Sequence, residues 1–322
     1  MECRRNERAF ARILGIFFPL LTSLTPHSSL HPLPSTLSAR EDESQYRISV
    51  NVRLVVLPVS VTDRKGHAVP NLSAENFRVY EDGQMQKIVL FKHEDIPVTV
   101  GLLVDNSSSM LPRRRQVIEA ANVFARLSNP QDQIFVVNFS DSASLGLPEN
   151  VAFTDEPSLL TAALSRTAGG KTALYDALAM GLEHLRQASL DKKALIVVSD
   201  GGDNASQATL SQVLQRIAAC NAMVYTVGIL DEQESDQNPR ALSRLAKAAG
   251  GEAYFPKSAL EIRPICEEIA RDLREQYTIG YVPPHRDSNA YRKIKVQVNT
   301  PGKGRLVART REGYSARDVA DH

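Results

Sequence analysis

The chain has 322 residues, which is room for one large domain or two ordinary ones. Hydrophobic residues make up 43% of it and charged residues 23%, a composition that predicts a packed core and excludes wholesale disorder. The formal net charge is +1, from 38 Lys and Arg against 37 Asp and Glu, so the chain lacks the strong basic excess typical of proteins that bind nucleic acid or acidic membranes.

Residues 1–25 have the pattern of an export signal. The arginine-rich stretch MECRRNERAFAR precedes the apolar run ILGIFFPLLTSL. Because this run is short and interrupted by proline, we expect a signal peptide, and an uncleaved anchor is the alternative. The Pro-, Ser- and His-rich residues 26–45 predict a solvated linker. We therefore expect a secreted, periplasmic or cell-envelope protein that touches a membrane only through such an anchor.

Two separate segments, residues 46–96 and 277–316, have strand patterns without helical periodicity. In the first, NFRVYEDGQMQKIVLF predicts two strands around a turn at residues 81–83. In the second, RKIKVQVNT alternates polar and apolar residues. Each segment is too small to bury a core alone, so we expect one shared β-sandwich, with two separately packed β appendages as the alternative. Residues 317–322 are expected to form a tail.

Between these segments, residues 97–276 alternate strand and helix patterns. The continuously apolar VTVGLLVD is followed by a helical pattern in PRRRQVIEAANVFARLS, with Pro112 expected in its first turn. Further strand patterns, QIFVVNFS, KALIVVSD and AMVYTVGIL, alternate with helical ones up to SALEIRPICEEIARDLREQ. The alternation predicts a doubly wound, mostly parallel α/β sheet. The predicted fold is therefore an α/β domain inserted in, or flanked by, a small all-β sandwich.

Oxygen-bearing side chains follow the predicted strands of the α/β domain, at the edge where open α/β sheets bind ligands. They come from DNSSS after the first strand, from GGKT before a helix, and from LIVVSD, and they are Asp105, Ser107, Ser109, Thr172 and Asp200. All are hard donors, which suit Mg²⁺, or else Ca²⁺ or Mn²⁺, and do not suit zinc. An ion held by only two carboxylates keeps exchangeable water, so an Asp or Glu of a protein partner could complete its coordination.

The stretches DNSSS, GGKTALYDAL and LIVVSDGGDN resemble the three loops that form the metal-ion-dependent adhesion site of von Willebrand factor type A (VWA) domains. The resemblance covers residues 97–276, and the whole chain also resembles exported bacterial proteins of a VWA-related type. It implies that Asp105, Ser107 and Ser109 form the D-x-S-x-S motif of the site. It further implies that Thr172 and Asp200 complete the metal shell, and that the protein adheres to a partner through the metal. The ligand itself is not implied.

Capping is the main alternative for these side chains, because Asp, Ser and Thr also satisfy the free N–H groups of helix starts. Three matches on three strand-end loops favour the metal site over coincidence. Other polar residues nearby match no ligand position. We expect supporting or turn roles for Asn106, Ser108 and Asp203, a helix-face or supporting role for Asp176, and a solvated position for Asp141.

Other chemistries fit the sequence less well. AGGKT has Ser165 where a phosphate-binding loop needs glycine, so nucleotide binding is not expected. No histidine falls in a strand-end loop, and His184 is expected on a helix surface, so we do not expect an enzyme. A metal-dependent hydrolase and an envelope scaffold with a structural metal are the alternative functions. Cys220 and Cys266 are expected to be buried free thiols, with a disulfide as the alternative.

Overall fold

The structure is a computed structural model that describes residues 54–127, 129–165, 167–231, 235–284, 291–300 and 304–315. The predicted signal peptide (1–25), linker (26–45) and tail (317–322) lie outside the described residues. All described residues fall within one compact unit, Asn51–His322. Within these ranges, no helix combines the length and the apolar character needed to cross a membrane.

The chain order of elements is strands first, then alternating strands and helices, then strands again. The strands are β1 (Val55–Thr62), β2 (Phe77–Glu81), β3 (Gln84–Gln86), β4 (Ile88–Lys92), β5 (Val98–Asp105), β6 (Gln133–Phe139), β7 (Ala143–Leu145), β8 (Lys192–Ser199), β9 (Met223–Gly228), β10 (Ala253–Tyr254), β11 (Tyr277–Tyr281), β12 (Tyr291–Val298), β13 (Val307–Arg309) and β14 (Gly313–Ser315). The α-helices are α1 (Arg114–Leu127), α2 (Pro157–Leu164), α3 (Leu174–His184), α4 (Leu210–Ala219), α5 (Pro239–Ala249) and α6 (Ile262–Arg274). Short 3-10 helices lie at Ala74–Asn76, Ser108–Arg113, Leu185–Gln187 and Ala259–Glu261.

A six-stranded sheet in the order β10-β9-β8-β5-β6-β7 forms the centre of the α/β region. Its strands pair in parallel except for the antiparallel edge pair β6–β7. Helix α1 packs against α2 and α6, and α4 packs against α3 and α5, while both α1 and α3 contact β5. Every residue of β5 is buried, as expected for a parallel strand covered on both faces. The predicted doubly wound α/β fold is confirmed.

The strands before and after the α/β region share two antiparallel sheets. β1 pairs with β11, and β2 pairs with β12, so each sheet contains strands from both segments. The sheet orders are β13-β1-β11-β4 and β14-β12-β2-β3. Side chains of both sheets, including Leu57, Phe77 and Tyr277, form a hydrophobic core separate from that of the α/β region. The α/β domain is therefore inserted in a small β-sandwich, as the sequence predicts.

Local structure departs from the sequence prediction in three places. The expected turn after β2 is present, with positive φ at Asp82 and Gly83, but the strand beyond it breaks at Lys87. The break occurs because β3 and β4 lie in different sheets. Pro112 lies in the 3-10 helix before α1 instead of in the first turn of α1. Strand β7 is not predicted from the sequence.

The predicted surface position of His184 is wrong. His184 is the last residue of α3, and its side chain is buried. Its ring centroid lies 4.4 Å from that of Phe135 and 5.0 Å from that of Phe153. Its Nε2 lies 2.8 Å from the Ala152 carbonyl oxygen, so that nitrogen donates a hydrogen bond. A residue seven positions after the buried Ala177 shares its helix face, which is the signal that could have predicted this burial.

Both described cysteines are free thiols. Cys266 is buried in α6, where its Sγ donates to the Ala120 carbonyl oxygen at 3.5 Å. Cys220 is half-buried at the end of α4.

Candidate metal centre

Three loops meet at the edge of the central sheet where β5 and β8 end. These strands are parallel neighbours, so the residues that follow them lie side by side. Loop 1 comprises residues 105–109 at the end of β5, and loop 3 comprises residues 200–205 after β8. Loop 2, residues 169–172, leads into α3. Each of the five residues predicted as ligands lies on one of these loops.

Backbone hydrogen bonds tie loop 2 to loop 1. The Ser108 N–H donates to the Gly170 carbonyl oxygen at 3.0 Å, and the Gly169 N–H donates to the Asn106 carbonyl oxygen at 2.7 Å. Gly170 has a φ of +86°, and a Cβ there would lie 2.5 Å from a carboxylate oxygen of Asp141. Glycine is therefore required where loop 2 approaches its neighbours.

Loop 3 is tied in turn to loop 2 and to loop 1. The N–H groups of Asn204 and Ala205 both donate to the Thr172 carbonyl oxygen at 3.0 Å. The Thr172 N–H donates back to Asn204 Oδ1 at 2.9 Å. At the end of β8, Ser199 Oγ donates to Asp105 Oδ2 at 2.5 Å. The three loops therefore form a closed ring of hydrogen bonds around the strand ends.

The predicted ligands lie on the loops of this ring, and two of them are in contact. Ser107 Oγ and Ser109 Oγ lie 3.1 Å apart. One carboxylate oxygen of Asp105 accepts from the Ser107 N–H at 2.9 Å, and one of Asp200 accepts from the Gly202 N–H at 2.9 Å. These bonds fix both carboxylates. Ser109 is half-buried, and the other four residues are buried.

The electrostatics of the two carboxylates are unfavourable without a counter-charge. Asp105 is 0% exposed and Asp200 is 4% exposed. Burial raises the pKa of Asp105 from 3.8 to about 6; hydrogen bonds from Ser107 and Ser199 oppose this rise, and the nearby charge of Asp200 adds to it. Within the described part of the chain, neither acid forms an ion pair with a basic side chain.

The donor set fits a hard divalent cation. Two carboxylates and three hydroxyls supply only oxygen atoms, which Mg²⁺, Mn²⁺ and Ca²⁺ prefer. Among the described residues, no three His, Cys, Asp or Glu side chains converge as a metal-binding group. The candidate centre differs from such a group because hydroxyl oxygens make up most of its donors.

Polar residues next to the proposed ligands support the loops through hydrogen bonds. Asn106 Nδ2 donates to the Val104 carbonyl oxygen and to Asn138 Oδ1, both at 3.1 Å, and its Oδ1 accepts from Arg114. The Ser108 side chain is exposed, and only its backbone N–H contacts loop 2. Sequence reasoning missed the role of Ser199 in fixing Asp105. Its position directly before Asp200, at the end of β8, was the available signal.

The remaining acids near the ring accept hydrogen bonds from backbone N–H groups. Asp176 at the start of α3 accepts from the N–H groups of Gln207 and Ala208, each at 2.9 Å. Asp203 accepts from the Tyr175 N–H at 3.2 Å, so the two acids fasten loop 3 and the segment after it to α3. Asp141 is exposed and accepts from the Lys171 N–H at 2.8 Å, so it also helps to position loop 2.

One curated protein is similar in sequence to this chain. An uncharacterized protein of Borreliella burgdorferi is 22% identical over 208 residues, which cover 64% of this chain and 60% of that protein. The chain thus spans about three fifths of the length of this curated relative.

Solved structures similar to this chain come from several bacteria. A von Willebrand factor type A protein from Catenulispora acidiphila is 14% identical, with a TM-score of 0.49 over 82% of this chain and 74% of that chain. The conserved hypothetical protein BatB from Bacteroides thetaiotaomicron is 16% identical, with a TM-score of 0.45 over 54% and 98% of the two chains. The vWF domain of the type V pili tip protein Mfa5 from Porphyromonas gingivalis is 11% identical, with a TM-score of 0.46 over 55% and 95%.

The family model of the von Willebrand factor type A domain matches residues 99–265, which is just over half of the 322 residues. This match covers all three loops and the sheet edge that carries them. Domains of this family generally mediate protein–protein interaction or adhesion. The chain therefore belongs to the von Willebrand factor type A domain family.

Proposed function

We propose that this protein is an exported, non-catalytic binding module that captures a protein partner by an Asp or Glu carboxylate of that partner. The link is a Mg²⁺ ion held by the loop residues Asp105, Ser107, Ser109, Thr172 and Asp200. The observation that carries the proposal is a pair of buried carboxylates without a basic partner in the described chain, set among three hydroxyls at one sheet edge. Mn²⁺ or Ca²⁺ would use the same donors.

Each ligand type has a separate task. Asp105 and Asp200 supply the negative charge that attracts the ion, and the hydroxyls of Ser107, Ser109 and Thr172 add neutral oxygen donors. When bound, the ion supplies a positive centre that attracts a further carboxylate. The hydrogen-bonded ring keeps the loop donors in place, so little ordering is needed when a partner arrives.

The positions of the described histidines favour binding over histidine-assisted hydrolysis. Metal-assisted hydrolysis needs a general base near the ion. The three described histidines contact other parts of the chain. His184 is buried at the end of α3, and His93 stacks on Tyr277 with ring centroids 4.3 Å apart. The Nδ1 atom of His67 lies 3.3 Å from a carboxylate oxygen of Asp63. None of the three lies on the loops.

The test is capture from a cell-envelope extract by immobilised protein, in MgCl₂ and in EDTA. Ser107→Ala removes one proposed ligand, and Ser108→Ala is its matched control because that neighbouring side chain is exposed and is not a proposed ligand. Wild type and Ser108→Ala should capture the same partner in MgCl₂, and Ser107→Ala should not. EDTA should release the partner, and amidation of carboxyl groups in the extract should abolish capture.

Three outcomes would contradict the proposal. Capture that persists in EDTA and in Ser107→Ala would show that the partner does not bind through the ion. A captured protein that mass spectrometry finds cleaved only in the presence of MgCl₂ would favour the hydrolase. If MgCl₂ raises the melting temperature but leaves capture unchanged, the metal is a structural element of a scaffold.

A further inference from the structure

A wide groove separates helix α4 of the α/β domain from the outer face of the sandwich sheet that contains β12. Its volume is about 2140 Å³, and its walls include Gln215 and Arg216 of α4, Arg244 of α5, and Lys293 and Lys295 of β12. The proposed metal ligands do not line it. We call it the α4–β12 groove.

Positive charge in this groove is not balanced by its own acids. Arg216, Arg244, Lys293 and Lys295 are exposed, and within the described residues none forms an ion pair. The lining contains only two acids, so its four cations exceed its acids by two. Asp176 accepts from two backbone N–H groups, and Glu312 pairs with Lys247 at 3.1 Å. Four cations from three elements therefore face one cleft.

A buried arginine adds to the positive charge near the groove. Arg311 is 8% exposed, and it precedes Glu312, which lines the groove. Its guanidinium lies 5.4 Å from the centre of the Tyr314 ring and donates to the Val56 carbonyl oxygen at 3.2 Å. These contacts do not neutralise its charge, and its Nε has no hydrogen-bond partner among the described residues. An anion in the groove would meet a positive field from the cations of both walls.

The spacing of the cations matches an extended polypeptide. Lys293 and Lys295 alternate on one strand, which places their Cα atoms roughly 7 Å apart, the distance between alternate side chains of any extended chain. Amide groups of Gln215 and Gln297 can pair with the N–H and C=O groups of such a chain, and Tyr291, 50% exposed, offers apolar surface.

We propose that the α4–β12 groove binds an extended acidic segment of a protein partner, with Asp or Glu at alternate positions. This binding needs no metal, so it is separate from the capture of a single carboxylate at the loops. Charge complementarity selects the occupant, because four exposed cations line the groove against two acids, one of which already pairs with Lys247. A partner could then hold both surfaces at once, with a gain in avidity.

The test measures binding of a fluorescein-labelled peptide of six Asp-Ser repeats by fluorescence anisotropy, in EDTA at low salt. The variant Lys293→Gln/Lys295→Gln removes two groove cations. Its matched control, Lys87→Gln/Lys92→Gln, removes two exposed lysines outside the groove. The groove variant should bind at least tenfold more weakly than wild type, and the control variant should bind within twofold of it. Raising the salt concentration should weaken wild-type binding.

Several results would overturn the proposal. They are equal binding by the two double variants, equal binding of an Asn-Ser peptide of the same length, and binding of dextran sulfate without binding of the Asp-Ser peptide. Because the assay contains EDTA, its outcome does not depend on the metal centre. Asp105→Asn should bind the peptide as wild type does, whether or not the proposed function holds.

Discussion

Two of the regions that bury acidic side chains, the junction of α6 with the sandwich and the loops of the sheet edge, balance the charge of those acids differently. At the junction of α6 with the sandwich, Asp272 is 5% exposed and pairs with Arg309 at 2.7 Å. Glu252 also pairs with Arg309 there. At the sheet edge, Asp105 and Asp200 are at least as deeply buried, and in the described chain neither pairs with a basic side chain.

The comparison explains why we propose a cation from solution at the loops and not at the junction. A buried carboxylate without a counter-charge costs several kcal/mol. At the junction an arginine of the chain removes that cost, and the result is a permanent contact between domains. At the loops the chain supplies only oxygen donors, so the proposed cation would complete the balance. We therefore expect stability at the loops, but not at the junction, to depend on divalent metal.

The largest effect should follow from removing the cation of the junction. Arg309→Met leaves Asp272 buried and unpaired, so the free energy of unfolding should fall by about 3–5 kcal/mol. Denaturant unfolding should show the same loss in MgCl₂ and in EDTA. The control is Arg263→Met, which breaks an exposed pair with Glu267 and should cost less than about 1 kcal/mol. If MgCl₂ restored the free energy of unfolding of Arg309→Met, the proposed difference between the two regions would be contradicted.

The second effect is a pH dependence of the loops. Because the pKa of Asp105 rises from 3.8 to about 6 on folding, the folded state holds this proton more tightly than the unfolded state. In EDTA, wild-type stability should therefore decline between about pH 4 and pH 6 by about 3 kcal/mol relative to Asp105→Asn, and stay lower above pH 6. Denaturant unfolding of both proteins across this range measures the difference. MgCl₂ should stabilise wild type alone, and parallel pH curves in EDTA would contradict the account.

A smaller effect is expected at the residue that orients Asp105. Ser199→Ala removes the hydrogen bond to Asp105 Oδ2, so Mg²⁺ should bind about tenfold more weakly in a titration. Ser206→Ala is the matched control. It removes an equally short hydroxyl–carboxylate bond, 2.6 Å, at Asp203, which is not a proposed ligand. The control should change the affinity less than about twofold. Equal losses in both variants would mean that the hydroxyls act on general stability.

The sequence predicts those features that depend on residues close to one another in the chain. Uninterrupted apolar runs indicate the buried strands β5 and β8, and the polar residues directly after them indicate the sheet edge. Asp82 and Gly83 predict the first hairpin because only such residues readily adopt positive φ. The proposed ligands are found in the same way, because each follows a strand or precedes a helix.

Features that depend on distant pairing could not be predicted in the same detail. The break between β3 and β4 depends on which sheet each strand joins, and β4 pairs with β11, nearly 190 residues later. The α4–β12 groove depends on how the sandwich stands against α4, which no local pattern records. The tie from Ser199 to Asp105 spans 94 residues of sequence. Only the folded sheet brings these two side chains together.

The most direct test of the central claim is isothermal titration of metal-free protein with MgCl₂ at pH 8. Here Asp105 is ionised, because this pH lies above its pKa of about 6. We expect one Mg²⁺ per chain for wild type and for Ser108→Ala, and no measurable binding for Asp105→Asn. Equal Mg²⁺ binding by wild type and Asp105→Asn, or none by wild type, would contradict it.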